Sequence, residues 1–279
     1  MLKDEIERRT TEGRAFMRFM RAEPLQSDEP YQTDQEQKLP QPPLVKARMR
    51  PEEAPIALPQ DFTGLAQGLD LTQIIRRRKS SRVYTQQGMT LQQLSYLLWA
   101  TQGVRGVRGK SYATLRTVPS GGARHPFETY LLVQQVDGLV PGAYHYLPME
   151  HQLEFLGPVE DLRANITASL AQQSWAAKAD VVFYWSCVPY RAEWRYGIMA
   201  HRIVMVDAGH MGQNLYMACA GLGLGTCGIG AFDDDLCGEL FGLDDADEFI
   251  VYTAPVGTIS DKNAAEEAAF YTFVEEDGL

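Results

Sequence analysis

Four residues in one short stretch carry side chains that bind phosphate well. Arg78, Lys79, Ser80 and Arg82 place three cations and a hydroxyl within five positions. Guanidinium and ammonium groups form charge-assisted hydrogen bonds with phosphate oxygens, and a guanidinium can bind two oxygens at once. The stretch therefore predicts an anion site in a chain whose net charge is −10. The alternative is a solvated helix end, where cations interact favourably with the helix dipole.

A second candidate is the irregular segment 116–128, which reads RTVPSGGARHPFE. Pro119 fixes its own φ, whereas Gly121 and Gly122 tolerate positive φ and let the backbone approach a ligand closely. A glycine–serine loop beside a core strand is a common way of presenting backbone N–H groups. With Ser120 as a hydroxyl donor, the segment is either a ligand loop or an ordinary tight turn.

The third candidate is the glycine-rich stretch 221–230, which reads GLGLGTCGIG. It lacks the strand-before-helix context of a dinucleotide fold and the lysine of a phosphate-binding P-loop. Glycines that terminate a helix account for Gly221 to Gly225 but not for Gly228 and Gly230. As a turn from a helix into a strand, the stretch could offer backbone N–H groups to a flat ring.

The candidate acid–base pair is Arg195 and Tyr196, which follow a long apolar run. A guanidinium beside a phenol favours the phenolate or holds an anionic substrate. A surface ion-pair cluster with Glu193 explains the same residues equally well. The chain contains neither a GxSxG nor an HExxH motif, and its four cysteines form no CxxC pair. Serine hydrolase, zinc protease and zinc-knuckle chemistry therefore have no support, and no metal site is expected.

Hydrophobic periodicity predicts the elements that position these groups. Asp70 or Thr72 can cap a short helix, and Thr90 with Gln93 forms a capping box before an apolar helix. Further helices are expected at 3–22, 158–172, 200–222 and 233–241, and strands at 130–136, 142–148, 152–156, 179–188 and 249–256. Residues 104–115 are expected to form a mobile loop. Because helices and strands do not alternate strictly, the fold class is α+β.

Composition narrows the class of protein. The chain is 45% hydrophobic and 22% charged, which is ordinary for a globular protein. Its negative charge disfavours binding to nucleic acid. No run reaches the roughly 18 apolar residues of a membrane span, and the charged N-terminus does not resemble a signal peptide. We therefore expect a cytoplasmic protein with reduced cysteines and no membrane partner.

The chain divides into three parts. Residues 1–68 are predicted to be an N-terminal helix and a proline-rich extended arm, because eight prolines lie between 24 and 59. Residues 69–260 are predicted to form the ligand-binding domain. Residues 261–279 are expected to be a polar C-terminal tail.

These stretches together resemble the nitroreductase family. RKSSR at 78–82 resembles the family's arginine–serine flavin motif, the segment around VPSGGARHP resembles its proline–serine loop, and GLGTCGIGAFD resembles its turn beside the flavin. With RRRKSSRVY, LSYLLWATQGV, GAYHYLP and RYGIMAHRIVMVDAGHMGQNL, they most resemble the SagB-type branch, which includes thiazole- and oxazole-forming dehydrogenases. The resemblance covers about residues 69–257.

The resemblance implies a nitroreductase-like α+β fold with a central mixed or antiparallel sheet flanked by helices. It also implies noncovalently bound FMN and a homodimer with two flavin sites at its interface. The residues implied for the phosphate and ribityl chain are Arg78, Ser80 and Arg82, with Lys79 beside them. Those implied to line the flavin of the partner subunit are Pro119, Ser120, Gly121 and Gly122. Those implied to face the ring near N5 are Gly228, Ile229, Gly230 and Ala231.

The expected activity is FMN-dependent oxidoreduction, with NAD(P)H as reductant and a small-molecule or peptide substrate that reacts in ping-pong order. A SagB-type dehydrogenase that oxidises a peptide azoline would fit the same motifs. Arg195–Tyr196 would then stand where that branch has a Lys–Tyr acid–base pair, although arginine stays protonated and is a poor base. The motifs also fit a flavin-binding or flavin-remodelling protein without NAD(P)H turnover, and the basic stretch alone would fit a sensor of phosphate anions.

Overall fold

The fold is organised around the strand Val181–Cys187, in which all seven residues are buried. The computed structural model describes residues 2–20, 31–66, 68–272 and 276. Within those ranges the main sheet has seven strands, and their pairings are all antiparallel. With its flanking helices, this sheet confirms the predicted α+β class.

The strands of the described ranges are β1 (Ile56–Ala57), β2 (Val104–Arg108), β3 (Ala113–Arg116), β4 (Phe127–Val133), β5 (Gly142–Leu147), β6 (Gln152–Gly157), β7 (Val181–Cys187), β8 (Leu224–Thr226) and β9 (Phe249–Thr258). The main sheet has the order β1-β6-β5-β4-β7-β9-β8, and β2 pairs with β3 separately. The apolar run predicted as a central strand thus lies between β4 and β9. The predicted hairpin is β5 with β6.

The helices of the described ranges are α1 (Leu2–Phe19), α2 (Leu71–Arg77), α3 (Leu91–Gln102), α4 (Leu162–Ser169), α5 (Tyr190–Tyr196), α6 (Ala200–Leu222), α7 (Asp234–Glu239) and α8 (Ala264–Ala269). The predicted capping box forms at Thr90 with Gln93. Of the two predicted cap candidates for α2, Asp70 is the N-cap, and it forms a capping box with Gln73. The long helix α6 has the predicted bounds. No helix in the described part of the chain is both long and apolar enough to cross a membrane.

Two hydrophobic cores lie on opposite faces of the sheet, because successive side chains of a strand point to opposite faces. In β4, Leu131 and Val133 pack into the core shared with α3 and α6. Tyr130 and Leu132 pack into the core that includes residues of α4 and α7. The long helix α6 therefore packs on the face of the sheet that carries Leu131 and Val133.

One sequence-based prediction was wrong. The expected mobile loop 104–115 is largely the hairpin of β2 and β3, whose turn contains Gly109 at φ +64°. Its charged and glycine residues obscure the apolar–polar alternation that would predict a strand. The expected polar tail contains α8, which docks on the main domain through Glu267. The remainder of the tail, at 273–275 and 277–279, lies outside the described residues.

The arm is held on its own chain by buried carboxylates. The backbone N–H of Lys46 donates to Glu128 at 2.8 Å, and those of Met49 and Arg50 donate to Glu154 at 2.9 and 2.7 Å. The arm also supplies β1, the edge strand beside β6. By contrast, α1 has no buried residue. Residues 21–30, which include the end of the helix predicted at 3–22, lie outside the described residues.

Candidate functional site

The basic stretch is extended and lies beside β8. Helix α2 ends with Arg78 as its C-cap, and the Ser81 N–H donates to the Thr226 carbonyl at 2.9 Å. Lys79 and Ser81 line a cleft of about 540 Å³, in which Asp261 is the one carboxylate among the lining residues that the structure describes. This volume falls in the range of about 300–1,000 Å³ that is typical of ligand sites.

Tyr216 of α6 connects two of the three predicted motifs. Its hydroxyl lies 3.0 Å from the Ser80 hydroxyl and accepts the Gly228 N–H at 2.7 Å. The Arg78 guanidinium lies 5.4 Å from the centre of its ring, a distance at which a cation is attracted to an aromatic face. Tyr216 also lines the 540 Å³ cleft. The basic stretch and the glycine-rich turn therefore meet at one phenol.

Sequence reasoning missed Tyr216. It lies on the predicted helix 200–222, between Leu215 and Met217. A partly buried tyrosine in such a stretch needs a hydrogen-bond partner for its hydroxyl. This requirement could have marked Tyr216 as a candidate site residue. The identity of the partners could not be read from the sequence, because Ser80 lies 136 residues away.

Arg82 is engaged by α8 and the residues that follow it. Its Nη1 donates to the Tyr271 hydroxyl at 2.7 Å, and its guanidinium also lies 5.8 Å from the ring centre of Trp175. The backbone N–H groups of Arg82 and Val83 donate to the Glu267 carboxylate at 2.9 to 3.1 Å. The structure thus gives Arg82 local partners, and its predicted role toward a phosphate stays a prediction.

The glycine-rich turn has one filled side and one open side. A Cβ at Gly228 would lie 1.8 Å from the Tyr252 hydroxyl, whereas nothing lies within 4 Å of one at Gly230. Ile229 pairs with Thr253 on β9 and is 4% exposed, so its side chain belongs to the core. Gly230 and Ala231 are exposed on the open side of the turn, so their N–H groups are accessible to a ligand.

The third motif, Pro119–Ser120–Gly121–Gly122, packs against α5 and the first part of α6. Gly122 has φ +56°, and a Cβ there would lie 2.5 Å from Arg195 Nε and 2.7 Å from the Tyr196 hydroxyl. Only a glycine fits this approach. The structure therefore brings the candidate acid–base pair to the glycine–serine loop, a proximity that the sequence did not reveal.

The two members of the acid–base pair have different surroundings. Arg195 Nη1 donates to Gln35 Oε1 at 3.2 Å and to the Tyr112 hydroxyl. Hydrogen bonding to Tyr196 raises the pKa of Arg195, and the smaller effect of burial opposes it. The alternative cluster with Glu193 is not observed for Arg195, because Glu193 pairs with His201 at 3.0 Å. Arg195 is a fixed cation in this geometry and cannot serve as a base.

The motifs thus form two groups at different points along α6. The loop contacts Ile203 and Asp207, whereas the basic stretch and the glycine-rich turn contact Tyr216. Tyr216 follows Asp207 by nine residues, which is a rise of about 14 Å in an α-helix. The glycine–serine loop and the Tyr216 contacts are therefore separate clusters on one helix.

Comparison with known proteins gives the family. The model of the nitroreductase family matches residues 75–258, about two thirds of the chain. This chain belongs to the nitroreductase family. A nitroreductase-type protein of Methanocaldococcus jannaschii is 32% identical over 189 residues, which cover 68% of this chain and 91% of that protein. Proteins of the nitroreductase family are oxidoreductases that typically bind flavin.

Two further relatives are informative. The trifolitoxin-processing protein TfxB of Rhizobium leguminosarum bv. trifolii is 33% identical over 113 residues, which span 39% of this chain and only 30% of that protein. A nitroreductase structure from Ralstonia eutropha superposes with a TM-score of 0.61 at 27% identity, covering 80% of this chain and 95% of that one.

A chain of the Escherichia coli microcin synthetase McbBCD, solved with a truncated pro-microcin B17, has a TM-score of 0.57 at 18% identity. It covers 78% of this chain and 79% of that one. At this identity the similarity establishes the shared fold only.

Proposed function

We propose that this chain is an FMN-dependent oxidoreductase that takes a hydride from NAD(P)H and passes it to a second substrate in ping-pong order. The observation that carries the proposal is the meeting of Ser80, Arg78 and Gly228 at Tyr216, beside the 540 Å³ cleft. When bound, the flavin supplies the hydride chemistry, and the protein binds and orients it.

The residues present fit a flavin mononucleotide. Arg78 and Lys79 offer positive charge for the phosphate, and Ser80 and Tyr216 offer hydroxyls for the polyol chain. The N–H groups of Gly230 and Ala231 are accessible on the open side of the turn and can donate to a ring nitrogen. The described residues contain no group of three or more His, Cys, Asp or Glu side chains that could hold a metal ion.

The glycine–serine loop is assigned to the flavin of a second subunit. Its separation from Tyr216 along α6 supports this assignment. The exposed apolar side chains on α6 support it too, because Met205 and Val206 are 53% and 52% exposed and a homodimer would bury them. Arg195 and Tyr196 then lie beside the loop, where Tyr196 can hold or release a proton and Arg195 can stabilise negative charge.

A second candidate function is the oxidation of a ring in a peptide, as in the SagB-type branch. It is favoured by the Arg195–Tyr196 pair beside the loop and by the similarity to a trifolitoxin-processing protein. Since Arg195 cannot accept a proton, the proton released in this oxidation would have to be taken by Tyr196 or by another base.

The test of flavin binding is the absorbance spectrum of the purified protein, compared with Arg78→Ala and its control Arg76→Ala. Arg76 is exposed in α2, two residues before Arg78, and neither arginine lines the 540 Å³ cleft. What distinguishes Arg78 is its guanidinium, which lies 5.4 Å from the centre of the Tyr216 ring. Loss of a charged hydrogen bond costs about 1.5–3 kcal/mol, so FMN affinity should fall about 10- to 100-fold in Arg78→Ala and stay unchanged in Arg76→Ala. A colourless wild type that takes up no FMN would overturn the proposal.

Anaerobic substrate addition separates the candidate activities. Rapid bleaching of the flavin by NAD(P)H is expected for the reductase. Bleaching by an azoline peptide, with none by NAD(P)H, would instead identify the dehydrogenase. A stable flavin spectrum with both reagents would contradict both activities and leave a flavin-binding protein.

A further inference from the structure

A buried carboxylate on α6 contacts the glycine–serine loop. Asp207 is 5% exposed, and its two carboxylate oxygens lie 3.2 and 3.3 Å from the Gly121 nitrogen, whose N–H they accept. The Ser120 side chain also lies near this carboxylate and lowers the pKa of Asp207. A hydroxyl and a backbone amide of one loop therefore lie beside a single acid.

The other side of the same loop contacts the acid–base pair. A Cβ at Gly121 would lie 2.3 Å from Ile203 Cγ2 and 3.6 Å from Tyr196 Cε2. At Gly122, the next residue, it would meet Arg195 and Tyr196. The backbone is thus confined between Asp207 and Tyr196. A shift of the loop at Asp207 must therefore change its contact with the Tyr196 phenol.

We propose that Asp207 is a positioning residue of the redox site, whose carboxylate holds the Ser120–Gly122 backbone against Tyr196. The inference rests on the proposed function and deepens it, since it names the acid that sets the geometry of the acid–base pair. Asp207 acts through the loop and is not itself a catalytic residue.

The electrostatics of Asp207 oppose a purely stabilising role. Burial raises the pKa of Asp207, and the interactions with Ser120, Gly121 and the nearby His210 offset part of this rise. Other titratable or charged groups on the packed elements are Arg195 and Tyr196 on α5 and Cys187 at the end of β7. When folding raises the pKa of a carboxyl, the protein loses stability as the pH rises through that pKa. Ionisation of Asp207 in the folded protein therefore costs stability.

The test compares Asp207→Asn with Asp180→Asn. Asp180 is also a buried aspartate with a raised pKa that accepts a backbone N–H, from Thr258 at 2.7 Å, but it lies away from the loop. In Asp207→Asn, we expect kcat to fall about 10- to 100-fold with a small change in KM, as when reacting groups are slightly misplaced. The acidic limb of the pH profile of kcat should differ between Asp207→Asn and wild type. The thermal stability of Asp207→Asn should be retained or raised.

Asp180→Asn should leave kcat and its pH profile unchanged. A readout independent of turnover is hydrogen exchange of the Gly121 amide in the flavin-free protein, which should be faster in Asp207→Asn than in wild type or Asp180→Asn. Wild-type kcat, pH profile and Gly121 exchange in Asp207→Asn would overturn the inference.

A fall in kcat that follows a loss of thermal stability would also overturn it, because Asp207 would then be only a structural tie. Failure of the proposed function is distinguishable, since it would show as a wild type without flavin. The exchange of Gly121 and the stability of Asp207→Asn would still report on the contact itself.

Discussion

Gly228 and Gly230 allow the position of the flavin ring to be tested with a matched pair of alanine substitutions. Neither glycine has φ in the left-handed region, so each substitution tests the added methyl group and not backbone strain. The methyl group of Gly228→Ala would lie 1.8 Å from the Tyr252 hydroxyl, whereas that of Gly230→Ala would meet nothing within 4 Å.

The cost of Gly228→Ala follows from the packing of Tyr252. Its ring stacks on Trp185 with centroids 5.6 Å apart, and it also lies against Gly212, so it cannot swing aside freely. Overpacking of this kind costs about 1–3 kcal/mol, and Tm falls about 2–4 °C per kcal/mol in a protein of this size. We expect a loss of roughly 2–12 °C for Gly228→Ala without flavin, and nearly no change for Gly230→Ala.

FMN affinity should respond in the opposite order, with the larger loss in Gly230→Ala and the smaller in Gly228→Ala. A methyl group on the open side of Gly230 would occupy the space assigned to the ring, so FMN affinity should fall at least about tenfold, which corresponds to about 1.4 kcal/mol. The assays are calorimetric unfolding of the flavin-free variants and titration of FMN by fluorescence quenching. Wild-type FMN affinity in Gly230→Ala would refute the placement of the ring, and a wild-type Tm in Gly228→Ala would refute the packing argument.

Three further outcomes are expected. Tyr216→Phe leaves the Gly228 N–H without its acceptor, so the free energy of unfolding should fall by about 1–3 kcal/mol in urea titrations, together with FMN affinity; unchanged values would contradict the role of Tyr216. Glu267→Ala removes the acceptor of the Arg82 N–H, so hydrogen exchange at that amide should accelerate, whereas the exposed neighbour Glu266→Ala should have no effect. Burial raises the pKa of Glu154, but bonds from a histidine and two arm amides outweigh it and lower the pKa to about 2. The stability that this acid gives the arm is therefore complete above the usual glutamate pKa and is lost as the pH falls toward 2. Hydrogen exchange at the Met49 and Arg50 amides that stays constant down to pH 2 would contradict this.

The long elements and their caps were predictable because their causes are local. The capping boxes at Asp70 and Thr90 and the bounds of α6 follow from residues within a few positions of one another. The hairpin of β2 and β3 was missed because its strands are short and rich in arginine and glycine. Its stability comes from pairing between the strands, which a single-strand pattern does not reveal.

The candidate site was predictable in its parts but not in its assembly. The sequence indicated the basic stretch, the glycine–serine loop and the glycine-rich turn because each has an unusual local composition. It did not identify the partners of Tyr216 and Asp207, which lie 136 and 86 residues away. Nor did it show that Arg82 is engaged by α8.

By itself, then, the sequence determined the fold class, the main helices and strands, and the three motifs that point to a flavin. These depend on periodicity, capping and composition, which act over a few residues. Only the tertiary structure decided that Ser80 and Gly228 meet at Tyr216 and that Asp207 holds the loop beside Tyr196. Such contacts join residues far apart in the chain, and they form only when the faces of α6 have been fixed by packing on the sheet.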